Sequence, residues 1–211
     1  MKLVYIIAIA VVAMIGVMVP NIFAQSMGSQ IFESKELGVS FSAAEGWILQ
    51  QPDQTIPGAP DVAVIGPKVS GINPVISLTI ENTNDKTIDD LIKEKNDSLA
   101  EAVYENKLEI LSQEKTKFNV YETEAIGNFE VDDELTKIKF LEVLILSEQK
   151  LYTFAYSNFA ENFDNELPKF QNSLDSFKIL SQESSIMTEG DTEDGGGCLI
   201  ATATYGSEMS A

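Results

Sequence analysis

The strongest constraint on the fold lies between Leu108 and Phe159, where four strand-like stretches follow one another with almost nothing between them. Leu108 to Phe118, Val120 to Val131, Leu135 to Ser147 and Leu151 to Phe159 carry the pattern, and turns fall near Asn119, at Asp132 and Asp133, and at Glu148 to Lys150. Connections this short leave no room for a crossover, so successive strands must be antiparallel neighbours. Leu141 to Leu146 is apolar at nearly every position and predicts an interior strand covered on both faces.

The segments before and after this run supply the covering. Val39 and Phe41 alternate with serines, a turn follows at Ala44, Glu45 and Gly46, and Trp47 and Leu49 resume on one face, which predicts a first hairpin. A Pro- and Gly-rich loop spans Pro52 to Pro60, a short apolar strand runs from Asp61 to Ile65, and Val75 to Glu81 alternates as a half-buried strand. At Thr87 the period changes to that of a helix. Thr87 and Asp90 stand at capping-box spacing, and Ile88, Leu91, Ile92, Leu99, Ala102 and Val103 form one apolar stripe. A second helix is predicted from about Asn165 to Phe177, with Pro168 near its first turn and Phe163, Phe170, Leu174 and Phe177 turned toward the sheet. That aromatic stripe is read as core packing. The class is α+β, with a mainly antiparallel central sheet and two main covering helices.

Composition narrows the chemistry. All fourteen cations are lysine and histidine is absent, so a Ser/His/Asp triad, a Cys/His pair, an imidazole base and an arginine phosphate clamp are excluded together. A formal net charge of −19 opposes binding to nucleic acid, which needs a basic footprint. Paired carboxylates such as Glu122 with Glu124, or Glu130 with Asp132, are the remaining route to a hydrolase or lyase. Such pairs need a pocket that drives their pKa values apart, and alternation places each pair on one exposed strand face. No cofactor is expected beyond calcium on oxygen ligands, for which Asp132, Asp133 and Glu134 are the densest carboxylates of the domain. They lack the twelve-residue calcium loop with its glycine.

The ends read differently from the middle. Met1 and Lys2 precede an uncharged apolar run from Leu3 to Val19, then Pro20, Ile22 and Ala24, in the order of an export signal with cleavage after Ala24. The run just reaches bilayer length and would serve as an anchor if retained. Residues 25–30 form a short linker and 31–180 the folded domain. Residues 181–197 are an acidic, glycine-ending linker without apolar periodicity. The lone cysteine, Cys198, excludes an intrachain disulfide and opens the tail 198–211.

Two resemblances follow from these residues. Gly38-Val39-Ser40-Phe41 with Glu45-Gly46-Trp47, the helix after Ile80, the antiparallel run, and the closing Asp175-Ser176-Phe177-Lys178-Ile179 resemble the PsbP domain, which is similar to the Mog1-type fold. The resemblance implies an α/β/α sandwich over roughly residues 31–180, serving in prokaryotic exported proteins as a binding or assembly module without catalytic residues. Metal contacts in that family involve histidine, so its photosystem role is not carried over. Cys198-Leu199-Ile200-Ala201-Thr202-Ala203-Thr204-Tyr205-Gly206-Ser207 resembles the CFI-box, a carboxyl-terminal segment of bacterial and archaeal exported proteins; the sequence stops at Ala211, so either the copy is shortened or the sequence is a fragment. Cys198 is then an attachment or processing point. The expected protein is extracytoplasmic, held to the membrane through signal or tail, with a protein partner or small ligand. A structural envelope component with no discrete site is the alternative outside catalysis.

Overall fold

A computed structural model of the chain describes residues 30–69, 72–131 and 134–180. Among these residues no helix is long and apolar enough to cross a membrane. The large sheet is antiparallel and seven-stranded: β3 (Ile48–Gln50), β4 (Val62–Ile65), β5 (Val75–Asn82), β6 (Leu108–Lys117), β7 (Val120–Val131), β8 (Glu134–Ser147) and β9 (Lys150–Phe159) lie in the spatial order β3-β4-β5-β9-β8-β7-β6. The last four strands form the meander that their short turns require. Glu148 takes a positive φ of 55° in the two-residue turn between β8 and β9. A smaller sheet joins β1 (Ile31–Ser34), β2 (Val39–Ser42) and β10 (Lys178–Ile179) in the order β1-β2-β10. It ties the two ends of the domain together, with Leu180 N–H donating to the Gly38 carbonyl at 2.8 Å.

One expected hairpin does not form. Val39–Ser42 pairs with Ile31–Ser34 and with Lys178–Ile179, whereas Ile48–Gln50 pairs with Val62–Ile65, so the two halves of that hairpin belong to different sheets. The reason lies in the connection, because Ala43, Ala44 and Trp47 are buried in a core cluster that both sheets contribute to. A turn does form there, with Trp47 N–H donating to the Ala44 carbonyl at 3.0 Å and Glu45 and Gly46 exposed, but it carries the chain from one sheet to the other.

Topology also sets the helix positions. β5 and β9 are hydrogen-bonded neighbours, yet the chain between them passes through α1 (Ile88–Tyr104) to β6 at the far edge, then works back strand by strand. Helix α1 therefore lies over β6 and β7 and reaches across β8 and β9. Thr87 caps it as the spacing predicts, accepting from the Asp90 N–H while the Asp90 carboxylate accepts from the Thr87 N–H. Helix α2 (Phe163–Asp175) starts two residues earlier than expected, which leaves Pro168 in the second turn instead of the first.

Strand alternation gives the large sheet two unlike faces. On one, Tyr152, Phe154, Tyr156 and Val143 join Phe163, Phe170 and Leu174 of α2 in the largest core cluster. Phe154 and Tyr156 are fully buried, and the Tyr156 hydroxyl donates to the Phe163 carbonyl at 3.1 Å. On the other face, under α1, two smaller apolar clusters form instead of one. Ile88, Leu91, Tyr121, Leu144 and Leu151 make the first, and Leu99, Leu108, Ala125, Ile138 and Phe140 belong to the second.

Candidate functional site

Between those two clusters the sheet presents small side chains. Ser77 and Thr79 of β5, Thr123 of β7, and Thr153, Ala155 and Ser157 of β9 all point toward α1 and line the space beneath it. Short side chains at the centre of a covered sheet cannot reach the helix, and the gap is a cavity of about 320 Å³ that continues into a narrower recess of about 50 Å³. Thr153 and Ala155 stay partly accessible although β9 is the middle strand of the seven. The loop before β4 closes one side with Gly58, Ala59 and Pro60, and Gln54 holds that loop by donating to the carbonyls of Pro52 and Pro60 at 3.1 and 2.9 Å.

Charge enters this cavity at its middle. Lys95 projects from α1 at 8% exposure and pairs with Glu142 of β8. Burial pushes the Lys95 ammonium down to about 7, and contact with the Glu142 carboxylate acts in the opposite sense. Nearby, the Thr123 hydroxyl has no hydrogen-bond partner, although the residue is only 4% exposed. A buried polar group left unpaired costs about 1–3 kcal/mol, so its orientation toward a cavity is informative. At the wider end stand Asp61 and Glu81. Burial raises both carboxyls, Glu81 is raised further by the charge of Asp61, and Asp61 accepts from the Ile80 N–H at 2.7 Å.

The sequence matches no protein-family model and no curated protein. In three dimensions the chain is similar to cyanobacterial PsbP (CyanoP) from Synechocystis sp. PCC 6803, at 17% identity over 77% of this chain and 98% of that one, with a TM-score of 0.51. The domain has the PsbP-like fold. A further likeness, at a TM-score of 0.48 and 10% identity over 68% of this chain and 83% of the other, is to LpqN, a protein involved in cell envelope biogenesis of Mycobacterium tuberculosis.

The PsbP-like domain places the carboxylates singled out in the sequence away from the cavity. Glu122 and Glu124 lie on β7 to either side of Thr123, and therefore on the opposite face of the sheet, where Glu124 pairs with Lys139 at 2.9 Å. Burial raises the Glu122 carboxyl, Glu114 across the strand pair raises it further, and a hydrogen bond with Thr116 lowers it. Glu130 and Glu134 are exposed near the β7–β8 turn, while Asp132, Asp133, Ala24 and Cys198 lie outside the described residues. Among the described residues no three acidic or thiol groups stand close enough to hold a metal ion.

Sequence reasoning missed Lys95 and Glu142, and a signal for both was present. Lys95 falls within the apolar stripe of α1, four residues after Leu91 and four before Leu99, and Glu142 interrupts the apolar run of β8. Each is a charge where the period calls for a hydrocarbon, on segments that pack together.

Proposed function

We propose that the chain is a non-catalytic binding module, exported and displayed at the outer face of the cytoplasmic membrane or cell envelope, whose α/β/α sandwich lodges a small ligand between α1 and the large sheet. The observation that carries this reading is the cavity itself: one sheet face is filled with aromatic side chains, and the other is hollowed by small ones around a buried ion pair and an orphan hydroxyl. Stability alone favours filling such a space, because empty volume forfeits packing and a buried ion pair seldom stabilises more than hydrocarbon of the same size. A cavity of this size, mostly apolar with a few converging polar groups, has the form of a small-molecule site.

Export rests on the order of charge, apolar run and Ala24 in the first residues, and retention at the membrane on the tail that begins at Cys198. The site is tested by native mass spectrometry of the protein isolated from its own host without detergent. A small-molecule adduct is expected on the wild type and not on Ala155→Leu, which fills, from the middle strand, the recess that would take the ligand's apolar end. Bare protein in the wild-type sample, or an adduct that survives the substitution, would overturn the reading.

A further inference from the structure

We infer that the occupant of the cavity is a small organic cation, a protonated amine borne on a short apolar body. This rests on the cavity being the binding site, and it follows from how charge is distributed along that space. In the middle, Lys95 and Glu142 cancel one another. At the wider end, Lys86 is engaged by Glu94 at 2.7 Å, which leaves Asp61 and Glu81 as the excess charge facing the opening. These two repel one another, and the charge of Asp61 raises Glu81 more than Lys86 lowers it. A cation placed between them would relieve both their repulsion and their loss of water.

The far end has the opposite character. Leu99, Leu108, Ala125, Phe140 and Ala155 surround the narrow recess, where hydrocarbon is the complementary surface. Between the two ends stand the hydroxyls of Thr79 and Thr153, with the unpartnered Thr123 hydroxyl at the recess. Hydroxyl oxygens accept hydrogen bonds, as the N–H groups of an amine require. A bare divalent ion suits the space less well: it takes six or more oxygen ligands, and among the described residues no three acidic groups converge. The net charge of −19 further favours the arrival of cations over anions.

Isothermal titration of the full chain with four probes tests this: hexylammonium, hexanoate and 1-hexanol share one hydrocarbon body, and calcium chloride supplies the metal alone. Hexylammonium is expected to bind at least about tenfold more tightly than hexanoate, a difference of about 1.4 kcal/mol. Glu81→Gln should weaken hexylammonium by about the same factor while leaving 1-hexanol unchanged, since each tenfold corresponds to loss of one such contribution. Asp61→Asn, which retains an acceptor for the Ile80 N–H, provides a second variant should Glu81→Gln fold poorly. Ala155→Leu should abolish binding of all three organic probes. If hexanoate binds as tightly as hexylammonium and Ala155→Leu still abolishes both, the cation inference falls while the cavity keeps its role. Binding of calcium alone that Glu81→Gln removes would replace the organic cation with a metal ion. Failure of every probe to bind, or binding indifferent to Ala155→Leu, would overturn the inference and the cavity reading together.

Discussion

Lys95 and Glu142 have consequences that can be measured one residue at a time. Lys95→Met leaves the Glu142 carboxylate in the cavity without its partner and is expected to destabilise the domain by about 3 kcal/mol, as loss of one member of a buried pair does. Lys95→Met/Glu142→Leu should recover that loss or exceed it, and urea unfolding at neutral pH compares the three proteins. Burial pulls Lys95 down toward about 7 while Glu142 holds it above that, so the pair is charged at neutral pH; between its folded value and the ordinary lysine value of about 10.4, the unfolded chain binds a proton that the folded chain does not. Stability from this group therefore rises with pH across that interval. The wild type should gain on the double variant between pH 7 and pH 10, and an unchanged difference would show that Glu142 holds the lysine charged throughout. Trp47 belongs to the other face. It is buried against Gly66, where an added Cβ would stand 2.7 Å from the indole Cε2. Trp47→Ala should cost about 3–5 kcal/mol in a thermal or urea melt.

At the scale of the element, the two helices show which local rules survived folding. Thr87 and Asp90 cap α1 as their spacing predicts, because a capping box is a contact within one turn and needs nothing from the rest of the molecule. Helix α2 departs from its predicted start because Phe163 is recruited to the core, its ring tilted by 35° against Tyr156 with 4.6 Å between centroids, and the helix begins there to present it. Pro168 is thereby left one turn inside, where its ring removes a backbone donor. Its side chain is exposed, so Pro168→Ala is expected to stabilise the domain by about 1–3 kcal/mol, read from urea unfolding. No gain would mean that the proline's restriction of the unfolded chain offsets the missing hydrogen bond. The meander β6 to β9 was legible almost residue by residue, since short turns and alternation leave antiparallel pairing as the sole solution. The β1-β2-β10 sheet was not, because its strands come from opposite ends of the domain and pair over only a few residues.

For the molecule as a whole, export and attachment give the remaining prediction. The mature protein is expected to begin at Gln25, and Cys198→Ser to shift it from membrane to medium with the melting temperature of the domain unchanged. Cell fractionation with intact-mass measurement checks both, and a wild-type mass that includes Met1 would point instead to a retained anchor. The sequence by itself determined the α+β class, the antiparallel meander, the capped helix and the absence of histidine and arginine chemistry, because each depends on near neighbours in the chain or on composition alone. Tertiary structure decided the site. Ser77 and Thr79 read in sequence as the polar face of a half-buried strand, and the same alternation would place them in solvent if nothing lay above. The crossover from β5 to the far edge lays α1 over them, turning a polar face into the wall of a cavity and bringing Lys95 to Glu142. Their partnership spans 47 residues, so neither partner's local sequence contains it.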